Sequence, residues 1–217
     1  MFRPKATAAA IVITLLASPL LLAAPVGASP HAAVPAAASQ RYVAPTPAEA
    51  AGMVFMREEE KLARDIYLKM HEQHELALFA NIAVAEQNHS DAMLRLLTLY
   101  RLPDPAAGNL AGEFSSDELQ SLYDVLLAAG SRDVASGVKV GALIEEVDIE
   151  DGTAAIGDAA KPDIDAVYES LMCGSRNHLR SFATTLETLT GQKYAAQVLP
   201  QATVDGILAA PVERCGK

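Results

Sequence analysis

Glu86 and His89 stand three residues apart in an apolar run, Phe79-Ala80-Asn81-Ile82-Ala83-Val84-Ala85-Glu86-Gln87-Asn88-His89-Ser90-Asp91-Ala92-Met93. At helical spacing a carboxylate and an imidazole so placed share one face. The rest of that face is Ile82, Ala85, Ala92, Met93 and Leu96. A charge-capable pair buried among such residues costs several kcal/mol unless a partner compensates it. A metal ion is one such partner, and Glu-x-x-His is the spacing used by dinuclear carboxylate helix bundles. One pair on one helix is weak on its own. The chain must supply matching ligands on other helices.

Periodicity predicts four long helices. The first runs from about Glu49 to His74, with Met53, Met56, Ala63, Ile66, Tyr67 and Met70 on one stripe. Glu58-Glu59-Glu60 interrupts it; Glu58 reads as a solvated surface residue, and Glu59 or Glu60 as facing inward. The second runs from about Leu76 to Tyr100. The short connection makes the two antiparallel neighbours, which brings Glu60 within about a turn of Glu86 and His89, with Asp65 and Glu59 as further candidates. Ser115-Ser116-Asp117-Glu118 reads as a capping box opening a short crossover helix that ends at Gly130. The third core helix is expected over Ser131–Glu150, with Glu145 on its apolar stripe, Asp148 one turn later, and Glu146 and Glu150 at the surface. Gly152–Lys161 reads as a loop. The fourth helix is expected from Pro162 to Thr190, with His178 inward and Ser175 three residues before it, where a second Glu-x-x-His would place a glutamate. The tail reads as a short apolar segment around Val204–Leu208 that then frays.

Met1–Ala28 reads as a secretory signal: Arg3 and Lys5, an apolar stretch from Ala8 to Ala24, and the small residues of Val26-Gly27-Ala28. Ser29 to about residue 48 is an Ala/Pro-rich linker, residues 49–208 the helical domain, and residues 209–217 a tail. The net charge is −10 over 217 residues, and removing the signal takes two basic and no acidic residues, giving −12. That charge disfavours nucleic acid and anionic membranes. Tryptophan is absent, and no basic–aromatic interleaving suits base stacking. After export the two cysteines, Cys173 and Cys215, would meet an oxidising compartment, where they permit one disulfide or remain two thiols. Gly-rich phosphate loops, a Gly-x-Ser-x-Gly elbow and zinc-finger spacing are all missing from the chain.

Five segments together carry a family likeness: Glu58-Glu59-Glu60-Lys61-Leu62-Ala63-Arg64-Asp65-Ile66-Tyr67, Phe79-Ala80-Asn81-Ile82-Ala83, Glu86-Gln87-Asn88-His89, Ile144-Glu145-Glu146-Val147-Asp148-Ile149 and Gly174-Ser175-Arg176-Asn177-His178-Leu179. They resemble the bacterial and archaeal domain of unknown function 2202 family, grouped with ferritin-like helix bundles. The resemblance covers about residues 52–208. It implies an all-α, ferritin-like four-helix bundle with a crossover helix between helices 2 and 3, and a dinuclear metal centre; it implies no substrate. Carried over by residue, the first-helix acid falls on Glu60 or Glu59. The second-helix pair falls on Glu86 and His89, the third-helix acid on Glu145, and the fourth-helix histidine on His178. Ser175 departs from the wider ferritin-like pattern, so the site is expected to be unequal, with Asp148 as a replacement oxygen or with only one ion held.

Carboxylates with neutral imidazole suit iron or manganese, and open positions admit dioxygen or peroxide. Tyr67 and Tyr168 lie on core stripes as packing residues or donors to the ligands. The expectation is an exported metalloprotein with oxidase or peroxide-consuming activity, its partners metal ions and dioxygen or peroxide. The alternative is a non-catalytic metal-binding or structural helical module.

Overall fold

The computed structural model describes residues 43–158 and 161–215; the signal peptide and most of the linker read from the sequence lie outside the described residues. Six helices are described: α1 (Pro47–His74), α2 (Ala77–Leu99), α3 (Asp117–Gly130), α4 (Val134–Asp158), α5 (Pro162–Thr190) and α6 (Gln201–Ala209). The described residues contain no strand.

Local chemistry sets the boundaries. Thr46 caps α1: its hydroxyl accepts from Glu49 N at 3.2 Å, its own N–H donates to Glu49 Oε2 at 2.7 Å, and Pro47 opens the helix. Glu75 ends α1 in the left-handed conformation at φ 54°, and Gly191 ends α5 at φ 70°. Only Glu75 and Leu76 join α1 to α2, which folds the pair back antiparallel. The crossover helix α3 is capped by Ser116 alone, whose Oγ accepts from Leu119 N at 3.3 Å. The expected capping box does not form, because Ser115 donates its N–H to Glu58 and its hydroxyl to Pro105 O.

The third core helix is displaced from its expected bounds. α4 starts at Val134 and runs through Gly152 to Asp158, where a loop was expected. Ala155 and Ile156 pack on buried apolar residues, which rewards continuing the helix. Gly152 is a contact point: a Cβ there would come within 2.7 Å of Met172 Cγ. Glycine lets α4 and α5 approach closely at that level, and the approach offsets its cost of about 1 kcal/mol in a helix interior.

α1 packs on α2 and α4, α5 packs on α2 and α4, α3 covers α1 and α4, and α6 rests on α5. The resulting helical bundle has two apolar clusters. One gathers Leu62, Ile66, Tyr67, Phe79, Leu179 and Phe182; the other gathers Met53, Met56, Met93, Leu97, Ile164 and Tyr168. Each large buried side chain contributes about 1.5–3 kcal/mol. Along α1 the chain passes from one cluster to the other across Glu59 and Glu60, along α2 across Glu86 and His89, and along α5 across Ser175 and His178. A polar layer thus lies between two apolar ones.

Two expectations about surface acids are corrected. Glu58 is buried, and its carboxylate accepts from Ser115 N at 2.6 Å and Ser116 N at 3.1 Å, tying α1 to the start of α3. Glu146 is also buried; it accepts from Tyr194 Oη at 2.6 Å and from the N–H groups of Gln197, Val198 and Leu199 at 2.7–3.0 Å. Sequence periodicity sees neither acid's partner, because those partners lie in loops distant along the chain. Cys173 and Cys215 form a disulfide, and the tail before it does not fray. Glu213 accepts from Arg176 Nε at 2.8 Å and Arg180 Nη2 at 2.9 Å.

Candidate metal centre

The polar layer converges on Glu86, which is fully buried. Its Oε2 lies 2.8 Å from His89 Nδ1 and its Oε1 lies 2.8 Å from His178 Nδ1. One carboxylate therefore faces two histidines, one oxygen to each. Glu60 Oε2 approaches His89 Nδ1 from α1 at 3.2 Å. Glu145 Oε2 approaches His178 Nδ1 from α4 at 3.4 Å. Each helix delivers its residue because that residue sits on the stripe that carries the apolar core above and below.

Two triads result, Glu60–Glu86–His89 and Glu86–Glu145–His178, and within each the donor atoms lie within 4.8 Å of one another. Glu86 belongs to both. The distances from Glu86 to the histidines are those of hydrogen bonds, but the directions are not. Neither oxygen of Glu86 has a hydrogen bond of acceptable geometry, nor do Glu60 Oε1, Glu145 Oε2 and His178 Nδ1. A buried polar atom left so costs about 1–3 kcal/mol. These atoms crowd a common space without satisfying one another, and each triad could hold a metal ion. Each triad offers two carboxylates and one imidazole, a set suited to iron or manganese.

The electrostatics follow from the packing. Burial opposes the charged form of His178, but Glu86 and Glu145 outweigh it and push the imidazole up to about 10. His89 is raised in the same way against its burial, by Glu60 and Glu86. Burial works to raise Glu86, yet His178 and then His89 hold it well below the usual carboxylate range. Burial dominates at Glu60 and Glu145 and pushes each up to about 7.

Tyr67, fully buried, donates to Glu145 Oε1 at 2.7 Å and so orients that carboxylate. Tyr168 is buried among the apolar residues of the second cluster. Asn177 turns away from the layer to the tail, where its Nδ2 donates to Glu213 O at 3.1 Å. Asp65 is bound by Lys61 at 2.7 Å, by Arg64 and by Gly112 N, and stays out of the layer. Ser175 is buried but brings no carboxylate; its hydroxyl donates back to Leu171 O at 3.3 Å. Glu59 and Asp148 are buried in the layer yet fall outside both triads. Sequence reasoning overlooked Gly174. A Cβ there would lie 2.5 Å from His89 Nε2, so this glycine makes the space the imidazole occupies. The available signal was a glycine in the interior of a predicted helix, beside the position expected to carry a ligand.

Residues 49–211 match a family described as an uncharacterized protein domain, DUF2202. Over 166 residues the chain is 41% identical to the uncharacterized protein MJ0754 of Methanocaldococcus jannaschii, covering 76% of this chain and 89% of that protein. The fold is similar to the crystal structure of hypothetical protein MJ0754 from Methanococcus jannaschii DSM 2661. The TM-score is 0.75 at 40% identity, with 77% of this chain and 95% of that chain covered. A match over most of the helical region, with a relative of this identity aligned across nearly its whole length, places the chain in the DUF2202 family.

Proposed function

We propose that this protein is an exported, ferritin-like metalloprotein with a dinuclear iron or manganese centre. The observation that carries the reading is the sharing of Glu86 by two triads of buried ligand atoms. Glu60 and His89 would hold one ion, Glu145 and His178 the other, with Glu86 between them. The ferritin-like assignment is supported by four long helices presenting inward carboxylates and histidines, with α3 crossing between α2 and α4. With Ser175 in place of an acid, Glu86 would be the one carboxylate available to both ions. Export is supported by the Cys173–Cys215 disulfide, a bond typical of oxidising compartments.

A loaded centre of this type supplies redox chemistry toward dioxygen or peroxide. The chain's own part is to exclude bulk water with the two apolar clusters and to fix Glu145 through Tyr67. Metal analysis of protein purified without chelators and reconstituted with Fe(II) or Mn(II) tests the reading. About two equivalents are expected, falling to less than half an equivalent in Glu86→Gln. Wild-type protein that takes up no transition metal overturns it. Oxygen uptake on adding Fe(II) separates an oxidase from a module that only holds metal.

A further inference from the structure

The ligand candidates are unequally exposed. The side chains of Glu60, Glu86 and Glu145 are 0–1% exposed, whereas those of His89 and His178 are 14% and 12% exposed. Each ring turns Nδ1 inward to the acids. Nε2 of neither ring bonds to another described residue, and neither is a buried unpartnered atom as Nδ1 of His178 is, so solvent reaches the outer edges of both rings. The layer is better closed elsewhere. Apolar clusters lie on either side of it along the bundle, and α2 packs more closely on α1, and α5 on α4, than α2 does on α5. The two described cavities open beside Lys193 and Tyr194, and no ligand candidate lines either.

We infer that the seam between α2 and α5 is the entrance by which free metal ions reach the centre, with the imidazoles of His89 and His178 as its door. The inference rests on the reading of the two triads as a metal centre. Ring centroids 5.7 Å apart put the imidazoles in contact, so an ion passes when a ring swings outward. Small neighbours give room for the swing. Ala85 and Ala92, half-buried, flank His89 on its own helix, and Ser181, exposed, stands one turn after His178. A helical side chain leans over the turn before its own Cα. A larger side chain at position 92 would therefore lie over His89, and one at position 181 over His178.

The experiment mixes metal-free, full-length protein with Mn(II) and follows the loss of the free ion's paramagnetic resonance signal, then the release of bound Mn(II) to excess EDTA. Ala92→Leu and Ser181→Trp should each slow uptake and release by the same factor, about tenfold or more, as an obstructed gate does. Stoichiometry and affinity should stay as in wild type. Ser121→Trp, at an exposed position on α3, controls for bulk alone and should change neither rate. Equal slowing in both directions marks an entrance, because a substitution that merely disturbs the ligands weakens affinity. Wild-type uptake rates in both variants overturn the proposal, as does slower uptake accompanied by weaker binding. Slowing in one variant alone keeps the entrance and assigns the door to that ring. Ser181→Trp, on the surface, carries the test if Ala92→Leu does not fold. Failure of the metal reading gives a different result: wild-type protein then takes up no Mn(II) at all.

Discussion

The imidazole of His89 occupies the space in which a side chain at Gly174 would stand: an ideal Cβ there falls 2.5 Å from both Cε1 and Nε2 of the ring. α2 and α5 meet at this point. Gly174→Ala therefore pits two effects against each other. Alanine in a helix interior gains about 1 kcal/mol over glycine. The overlap costs about 1–3 kcal/mol or else pushes the ring aside. Displacing the ring relieves the clash, and it pulls Nδ1 away from Glu60 and Glu86. The expected result is a stability change within about 2 kcal/mol by chemical denaturation and at least tenfold weaker binding of the ion held by His89. Unchanged Mn(II) affinity in a folded Gly174→Ala protein would show that this glycine does not shape the site.

Tyr67→Phe removes one hydroxyl and leaves the ring packing against Phe79 and Phe182 in place. In the metal-free protein the loss of its bond to Glu145 should cost about 1 kcal/mol. In the loaded protein it should weaken metal binding about 10–100-fold, as loss of a group that orients a ligand does. Competition with a chelator of known affinity measures the second effect. A Tyr67→Phe protein with wild-type metal affinity would reduce the tyrosine to packing alone.

The helices and the inward placement of the ligand candidates were legible in the sequence because both rest on one-dimensional spacing; the sharing of Glu86 by two triads was not. Glu86, His89, Glu145 and His178 fall on apolar stripes, and a short α1–α2 connection fixes the level of Glu60. What spacing could not reveal were partners contributed by loops. Glu58 and Glu146 look like surface acids in an acidic run, and each is buried by backbone N–H groups from segments about 50 residues or more away. Gly152 looked like a helix end because a glycine interrupts the pattern; its function as a contact with Met172 needs the neighbouring helix to be visible. The division of Glu59 from Glu60 is of the same kind. Adjacent residues point in different directions, and only the packed helices show that Glu60 joins a triad with Glu86 and His89 of α2 while Glu59 joins neither.

The disulfide closes a segment with a sequence separation of 42 between Cys173 and Cys215. Constraining the unfolded chain over such a loop contributes about 2–4 kcal/mol. The tail has a second attachment, since the Glu213 carboxylate is held by Arg176 and Arg180, and its backbone N–H and C=O pair with the side-chain amide of Asn177. Cys173→Ser/Cys215→Ser should therefore lower stability by that amount while leaving the metal content intact. Denaturant melts with and without a reductant check this. Loss of bound metal on reduction would instead link the tail to the centre.

The metal-free protein should grow less stable as pH rises from about 5 to 9. Glu60 and Glu145 have ordinary values near 4.5 and folded values of about 7, so the folded form binds their protons more tightly. Their contribution is complete below about pH 4.5 and is lost as pH climbs through 7. His178, up from 6.5 to about 10, contributes fully below 6.5 and loses that contribution toward 10. Glu86 has the opposite sign: held below its ordinary 4.5, it contributes above that value and loses stability as pH falls into the acid range. These opposing slopes set a maximum near pH 5. Metal must displace the protons on the histidines and raised carboxylates, so its binding strengthens with pH. Differential scanning calorimetry at pH 5, 7 and 9 should show the metal-free Tm falling and the increment from added Mn(II) growing. A metal-free Tm that rises across this range would mean that the buried acids and histidines do not hold the protons assigned to them. An increment independent of pH would mean that the added ion binds elsewhere than at these groups.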